Sequence, residues 1–250
     1  MVTYDFGGKV VLVTGAGSGI GRASATGFGK AGAAVVVSDV SVQSGEETVA
    51  LIKAAGGTAI FQQCDVSKAD QVKALVARAM SEYGRLDFAH NNAGINLGDD
   101  DDFEDEAWQR IIDTNLTSMM LCMREEGEVM LKQGKGSIVN TSSYSGLRAS
   151  AVQPGYTASK FGVMALTHHG ALRWAKLGIR VNAICPGVIE TAMTTPLMDD
   201  PKWRKVLENS MPMGRMGKPE EAAAAVLWLC SDDASFVTGQ SIAMDGGATA

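Results

Sequence analysis

Val10 to Gly21 reads VVLVTGAGSGIG. An apolar, β-branched run passes directly into alternating glycines. A run that is apolar throughout suits a strand covered on both faces. The glycines let the chain turn tightly and bring its backbone close to a pyrophosphate. The helix that follows offers free amides and a partial positive charge to the phosphates. A glycine pattern alone is weak; its strand–turn–helix context gives it meaning. Asp39 closes the next apolar run, AVVVSD, 18 residues past Gly21, where a carboxylate can bind ribose hydroxyls. The stretch predicts a dinucleotide site on an α/β fold.

Working outward, short β-rich runs alternate with longer helical patterns. Strands are expected near Lys9–Thr14, Ala34–Asp39, Thr58–Cys64, Leu86–Asn91, Gly136–Thr141, Ile179–Cys185 and Gln240–Met244. Between them, Val72, Leu75, Val76, Ala79, Met80 and Tyr83 form one helical stripe, and Ser67–Asp70 (SKAD) reads as a capping-box variant ahead of it. Repeated β–α–β units with right-handed crossovers give a parallel sheet between helix layers. With no linker or second core in the pattern, residues 1–250 are expected to form one domain. The stretch Ile189–Pro212 breaks the rhythm with Pro196, Pro201 and Pro212 and a short helical run at Lys202–Asn209. It reads as a lid over a site, the alternative being an ordinary surface excursion. Met193, Met198, Met211, Met213 and Met216 would give such a lid an adaptable apolar lining, ordinary packing being the alternative.

Asp39 also bears on which dinucleotide. A carboxylate accepts hydrogen bonds from the 2′- and 3′-hydroxyls of NAD and repels the 2′-phosphate of NADP, by on the order of a few kcal/mol. No lysine or arginine lies between Thr14 and Gly21, or immediately beside Asp39. NAD is expected over NADP by about a hundredfold or more in catalytic efficiency.

The stretch YTASK places Tyr156 and Lys160 at i and i+4, on one face of a helix. Free tyrosine titrates near ~10, too high for a good base at neutral pH. A lysine ammonium one turn away is expected to lower it, giving a proton acceptor for an alcohol or a donor for a carbonyl. Ser143 lies upstream, behind a β-rich run.

Composition excludes several classes. The 250 residues are 46% hydrophobic and 20% charged, as suits one soluble globular α/β domain. The formal net charge is -6 with no basic block, a poor match to nucleic acid. No apolar run reaches membrane-spanning length, and MVTYDFGGKVVLVTG has no signal-peptide pattern, so a cytoplasmic protein is expected. Cys64, Cys122, Cys185 and Cys230 are scattered and read as reduced, buried thiols. His90, His168 and His169 lack metal-ligand spacing, so no metal is expected. Asp99–Asp102 reads as a solvated acidic loop leading into a helix near Glu104.

From Gly8 to its C-terminus the chain resembles the short-chain dehydrogenase/reductase family, in its branch of about this length. Thr14–Gly21 fits the family's TGxxxGxG loop, and Asn91–Gly94 its NNAG element. Asn115, Ser143, Tyr156 and Lys160 fall where the family keeps its catalytic four, and Pro186, Gly187 and Thr191 match its PGxxxT element. The resemblance implies a Rossmann-type doubly wound parallel sheet in the order 3-2-1-4-5-6-7, and a homotetramer, or less often a dimer. It implies a cofactor site drawn from Gly15, Ser18, Gly19, Ile20, Gly21, Asp39, Val40, Asp65, Val66, Asn92, Ala93, Gly94, Tyr156, Lys160, Pro186, Gly187, Ile189 and Thr191. Asp65 and Val66 would flank the adenine. Asn92 would also brace the sheet, and Ile189 and Thr191 would hold the nicotinamide carboxamide. Ser143, Ser145, Gln153 and Tyr156 would meet the substrate.

The implied reaction interconverts a secondary alcohol, cyclic or otherwise hydrophobic, and its ketone. Ser143 would orient the substrate oxygen and Tyr156 would move its proton. Lys160 would stabilise the phenolate and bind the nicotinamide ribose, and Asn115 would hold a water linked to Lys160. Two alternatives are a 3-oxoacyl thioester reductase, which Asp39 and the acidic balance oppose, and a non-catalytic nucleotide-binding scaffold, which the intact four residues oppose. Arg148 is near enough in sequence to matter for an anionic substrate.

Overall fold

The computed structural model describes residues 3–149, 153–194 and 201–250. Seven parallel strands form one sheet: β1 (Val10–Thr14), β2 (Ala34–Asp39), β3 (Thr58–Gln63), β4 (Phe88–Asn91), β5 (Gly136–Thr141), β6 (Ile179–Pro186) and β7 (Ser241–Met244). Their order is β3-β2-β1-β4-β5-β6-β7. The chain order reverses between β1 and β4, where Val11 pairs with Phe88 and Val13 with His90. A crevice at the carboxyl edge of such a switch point is where open α/β sheets bind ligands.

Helices cover both faces. They are α1 (Gly19–Lys30), α2 (Val42–Ala54), α3 (Ala69–Tyr83), α4 (Asp105–Ile112), α5 (Ser118–Gln133), α6 (Tyr144–Leu147), α7 (Pro154–Trp174), α8 (Pro201–Ser210) and α9 (Pro219–Cys230). The two-residue period of β1 divides the core. Val10 and Leu12 pack with α3, α5 and α7, while Val11 and Val13 pack with α1, α2 and α9. Burial on both sides is why VVLVT carries no polar alternation before Thr14. The four cysteines are buried and unpaired.

The α3 stripe is present, with Val72, Leu75, Val76 and Ala79 buried. The capping box expected ahead of it is absent. Lys68 occupies the N-cap position without a side-chain bond, and the Ser67 hydroxyl donates instead to Asp65 Oδ1 at 2.7 Å. Asp65 captures Ser67 because its oxygen is only two residues back, closer than the helix's own first turn.

In the segment expected to be a lid, α8 forms at Pro201–Ser210, whereas Pro196 and Met198 lie outside the described residues. Met211 and Met216 are buried against Val188, and Met193 and Met213 are exposed. Among the described residues no helix is long and apolar enough to cross a membrane.

Candidate active site

The carboxyl ends of β1 and β4 are stapled together. The N–H groups of Asn92 and Ala93 donate to Thr14 Oγ1 at 3.0 and 3.2 Å, and Asn92 Nδ2 donates to the carbonyls of Thr14 and Gly15. The bracing expected of Asn92 is thus present, and Thr14 is the partner that the sequence did not single out. The staple forces the glycine loop against β4. A Cβ on Gly21 would collide with the Gly15 carbonyl and lie 2.7 Å from Asn92 Nδ2.

α1 opens toward this crevice. Ser18 takes the N-cap position but makes no side-chain cap, and its first turn holds no acidic residue. The first amides are therefore available to an anion. Asp39 is tied to the same loop: its Oδ2 accepts from Gly17 N–H at 2.8 Å and its Oδ1 from Ser41 N–H at 3.0 Å. A Cβ on Gly17 would lie 2.8 Å from Asp39 Oδ2, so glycine at 17 is what lets the carboxylate dock. Arg22, one residue past the motif, is committed to α2 through Ser44, Glu47 and Thr48. Thr191 comes in from the end of β6, where a Cβ on Gly19 would sit 3.0 Å from its Cγ2. Val40 is 61% exposed beside Asp39, whereas Val66 is turned into the core. Asp65 closes a local turn with Ser67. Free amides, a docked carboxylate and backbone without side chains fit a dinucleotide's pyrophosphate and ribose.

The chemistry-bearing residues meet at the other side of the crevice. Ser143 caps α6, accepting from Ser145 N–H at 3.1 Å, and it faces the Tyr156 phenol closely enough to favour the phenolate. Lys160 Nζ lies 5.4 Å from the Tyr156 ring centroid and donates to the Thr141 carbonyl at 3.0 Å. Asn115 sits in a π-helical stretch, Asp113–Thr117, and its amide makes reciprocal 2.8 Å bonds with the backbone of Ile95. A Cβ on Gly94 would fall 3.2 Å from Asn115 Oδ1 and 3.6 Å from Lys160 Nζ, which draws that element into the same cluster.

The electrostatics differ from the expectation. Burial raises the Tyr156 phenol above the ordinary tyrosine range, against a lowering by Ser143, so the lowering expected of it is not what results. The Lys160 ammonium lies over the face of the ring rather than at the phenol oxygen. Burial pushes Lys160 itself down to about 8.

Of the substrate-facing candidates, Ser145 is buried, and Gln153 stands at the start of α7 with its Oε1 accepting from Asn96 Nδ2 at 3.3 Å. Arg148 donates to the Ala248 carbonyl at 3.3 Å, holding the C-terminal tail. The acidic run is not uniformly solvated. Asp101 is 3% exposed, because its carboxylate is taken up by the first N–H groups of α7. Among the described residues no cluster of His, Cys, Asp and Glu could hold a metal ion.

A family model described as Enoyl-(Acyl carrier protein) reductase matches residues 15–249. The chain is 42% identical to 2,5-dichloro-2,5-cyclohexadiene-1,4-diol dehydrogenase of Sphingobium indicum, over 98% of this chain and 99% of the relative. It is 42% identical to cyclohexanol dehydrogenase of Acinetobacter sp., over 100% of this chain and 98% of the relative. A solved short-chain type dehydrogenase/reductase from Mycobacterium marinum superposes with a TM-score of 0.93 at 37% identity, covering 98% of this chain and 97% of that one. With the seven-stranded order, the stapled glycine loop and these likenesses along nearly its whole length, the chain belongs to the short-chain dehydrogenase/reductase family.

Proposed function

We propose that this protein is an NAD-dependent dehydrogenase of a secondary alcohol, cyclic or otherwise hydrophobic, acting through Ser143, Tyr156, Lys160 and Asn115. The observation that carries the reading is the approach of Lys160 Nζ to the Tyr156 ring, 5.4 Å from its centroid, with Ser143 facing the phenol. The two curated relatives are named as dehydrogenases of a cyclic diol and of cyclohexanol, which supports an alicyclic substrate.

The residues divide the work. Ser143 Oγ accepts from Ser145 N–H and keeps its own O–H to share between the Tyr156 phenol and a substrate oxygen, which it orients. Tyr156 removes the hydroxyl proton in oxidation and returns it in reduction. Lys160, pinned by the Thr141 carbonyl, brings positive charge beneath the ring and binds the nicotinamide ribose. Asn115, fixed by Ile95, orders a water linked to Lys160. When bound, the nicotinamide supplies the hydride acceptor, or the donor in the reverse direction. The α1 amides, Asp39 and Val40, Asp65 and Val66, Asn92 to Gly94, and Pro186 to Thr191 hold and orient the dinucleotide. Gln153 and Ser145 border the substrate.

Asp39 supports NAD over NADP, and the commitment of Arg22 to α2 adds to that. The description of the matching family model favours an acyl-carrier substrate instead. That reading needs a cation for a 2′-phosphate and a basic docking face, against a formal net charge of -6. We take the chain as one domain with a substrate loop at residues 189–212, working in the cytoplasm as a homo-oligomer, a tetramer before a dimer. Exposed apolar side chains on α5 and α7, Met120, Phe161 and Leu172, support the oligomer.

The test is steady-state NADH formation from cyclic secondary alcohols, set beside NADPH formation and beside reduction of a 3-oxoacyl thioester. Equal use of both cofactors refutes the NAD assignment, and a preference for the thioester refutes the substrate class.

A further inference from the structure

The helix carrying Tyr156 and Lys160 begins without a cap of its own. Its N-cap residue, Gln153, is in the left-handed region (φ 62°, ψ 61°) and makes no side-chain bond to the first turn. Pro154 has no N–H, so Gly155 and Tyr156 carry the first two that the helix has to satisfy. Both go to one side chain, 54 and 55 residues away. Asp101 Oδ1 accepts from Gly155 N–H at 2.9 Å, and Oδ2 from Tyr156 N–H at 2.8 Å.

Three separate features are organised around this contact. Gly155 leaves room for it, since a Cβ there would lie 2.9 Å from Asp101 Oδ1. Phe103 and Gln153, one on each of the two segments that meet, are the non-glycine residues with positive φ among those described, both at 62°. That conformation costs energy and persists where surrounding contacts hold it. Asn96 and Gln153 join the same two segments at a second point.

We propose that Asp101 is the positioning residue for Tyr156: its carboxylate fixes the first turn of α7 and with it the stance of the phenol against Ser143. The inference rests on Tyr156 being the proton-transfer group. The grip acts through the tyrosine's own main chain. A two-oxygen grip sets direction as well as distance, and an anion at a helix N-terminus is stabilised by the helix dipole. Misplacing a reacting group by about 1 Å can lower turnover about 10²-fold.

The test compares Gly155→Ala, Asp101→Asn, Asp101→Ala and the Asp101→Ala/Gly155→Ala pair, with Tyr156→Phe as reference. Alanine is the better helix former, which offsets part of the cap lost when the carboxylate moves, so Gly155→Ala should lower Tm less than Asp101→Ala does. Its methyl should displace the carboxylate and lower kcat about tenfold or more, with KM for NAD unchanged. In the Asp101→Ala background the same methyl has no carboxylate to displace and should cost nothing further. Asp101→Asn keeps one acceptor and should retain more turnover than Asp101→Ala. If Asp101→Ala does not fold, Gly155→Ala and Asp101→Asn still decide the matter. Wild-type kcat in both, additive losses in the pair, or losses that follow Tm overturn the proposal. Should Tyr156→Phe keep its turnover, the reading of Tyr156 fails. Should it lose turnover while the other variants do not, only the positioning role fails.

Discussion

Lys160 Nζ stands 5.4 Å from the centre of the Tyr156 ring and is bonded at 3.0 Å to the Thr141 carbonyl at the end of β5. The lysine is therefore fixed by the sheet as much as by its own helix. Its place is beneath the ring's face, where a charge is desolvated. The same burial moves the two groups in opposite senses, raising the phenol and lowering the ammonium to about 8.

A buried charge of this kind weakens the fold at neutral pH. Lys160 has its folded pKa near 8 against 10.5 ordinarily, so between those values the unfolded chain binds the extra proton and stability rises with pH. Lys160→Met removes the buried charge and leaves the Thr141 carbonyl unmatched, for a net gain of about 1–2 kcal/mol at pH 7. The gain should fade as pH rises from about 8 to 10.5. Urea unfolding of both proteins at neutral and alkaline pH checks this. A difference that stays constant across the range counts against the burial account, and turnover is lost in either case.

Tyr156→Phe keeps the ring over Lys160 and removes the oxygen. Turnover should fall by about 10²–10⁴, the range of general acid–base catalysis. NADH binding, followed by its fluorescence, should hardly change, because the phosphate loop is left as it is. Weakened NADH binding in proportion to the lost turnover assigns the phenol to cofactor binding instead.

Asp39 is coupled to the glycine loop through Gly17 N–H. Asp39→Ala should erase most of a hundredfold preference for NAD, about 2.7 kcal/mol. Gly17→Ala should reach a similar end indirectly, since its Cβ would lie 2.8 Å from Asp39 Oδ2 and turn the carboxylate away. Both variants should raise KM for NAD more than they lower kcat. Paired kcat/KM values for NAD and NADP decide, and an unaltered ratio in Asp39→Ala removes that residue from cofactor selection.

Periodicity and turn chemistry made the strands legible. AVVVSD, buried between its half-buried ends, and GSIVNT, buried throughout, form strands at the expected boundaries, and the fourth strand starts only slightly late, at Phe88 rather than Leu86. The dinucleotide end was legible because strand, glycines and acid are consecutive features. Asp101 was not, because its partners lie more than fifty residues away and an acidic run looks the same whether solvated or docked. The Tyr156–Lys160 spacing announced proximity but not direction. An i, i+4 pair does not say whether the ammonium meets the phenol oxygen or the ring face, and on that the strength of its influence depends. SKAD failed for a related reason, as its serine had a nearer carboxylate in Asp65.

Glu126 shows what pattern reading passes over altogether. It lies in α5 fully buried, and its Oε2 accepts from Asn91 Nδ2 at 2.9 Å. Glu126 Oε1 and Asn91 Oδ1 have no hydrogen-bond partner among the described residues. A proton on Oε1 removes one of these two unmatched acceptors, and burial pushes the carboxyl up to about 7. Between 4.5 and about 7 the folded protein binds the proton and the unfolded chain does not. The associated stability is therefore present in full below 4.5 and is lost as pH rises to about 7, amounting to about 3 kcal/mol at most. Glu126→Gln holds the neutral form at every pH. It should gain about 1–3 kcal/mol over the native protein at pH 8 and flatten the slope through the acidic range. Turnover should be kept, because Glu126 is outside the cluster around Tyr156. Denaturant unfolding at pH 5 and pH 8 provides the measurement, and parallel stability curves for the two proteins show that Glu126 is already ionised in the fold.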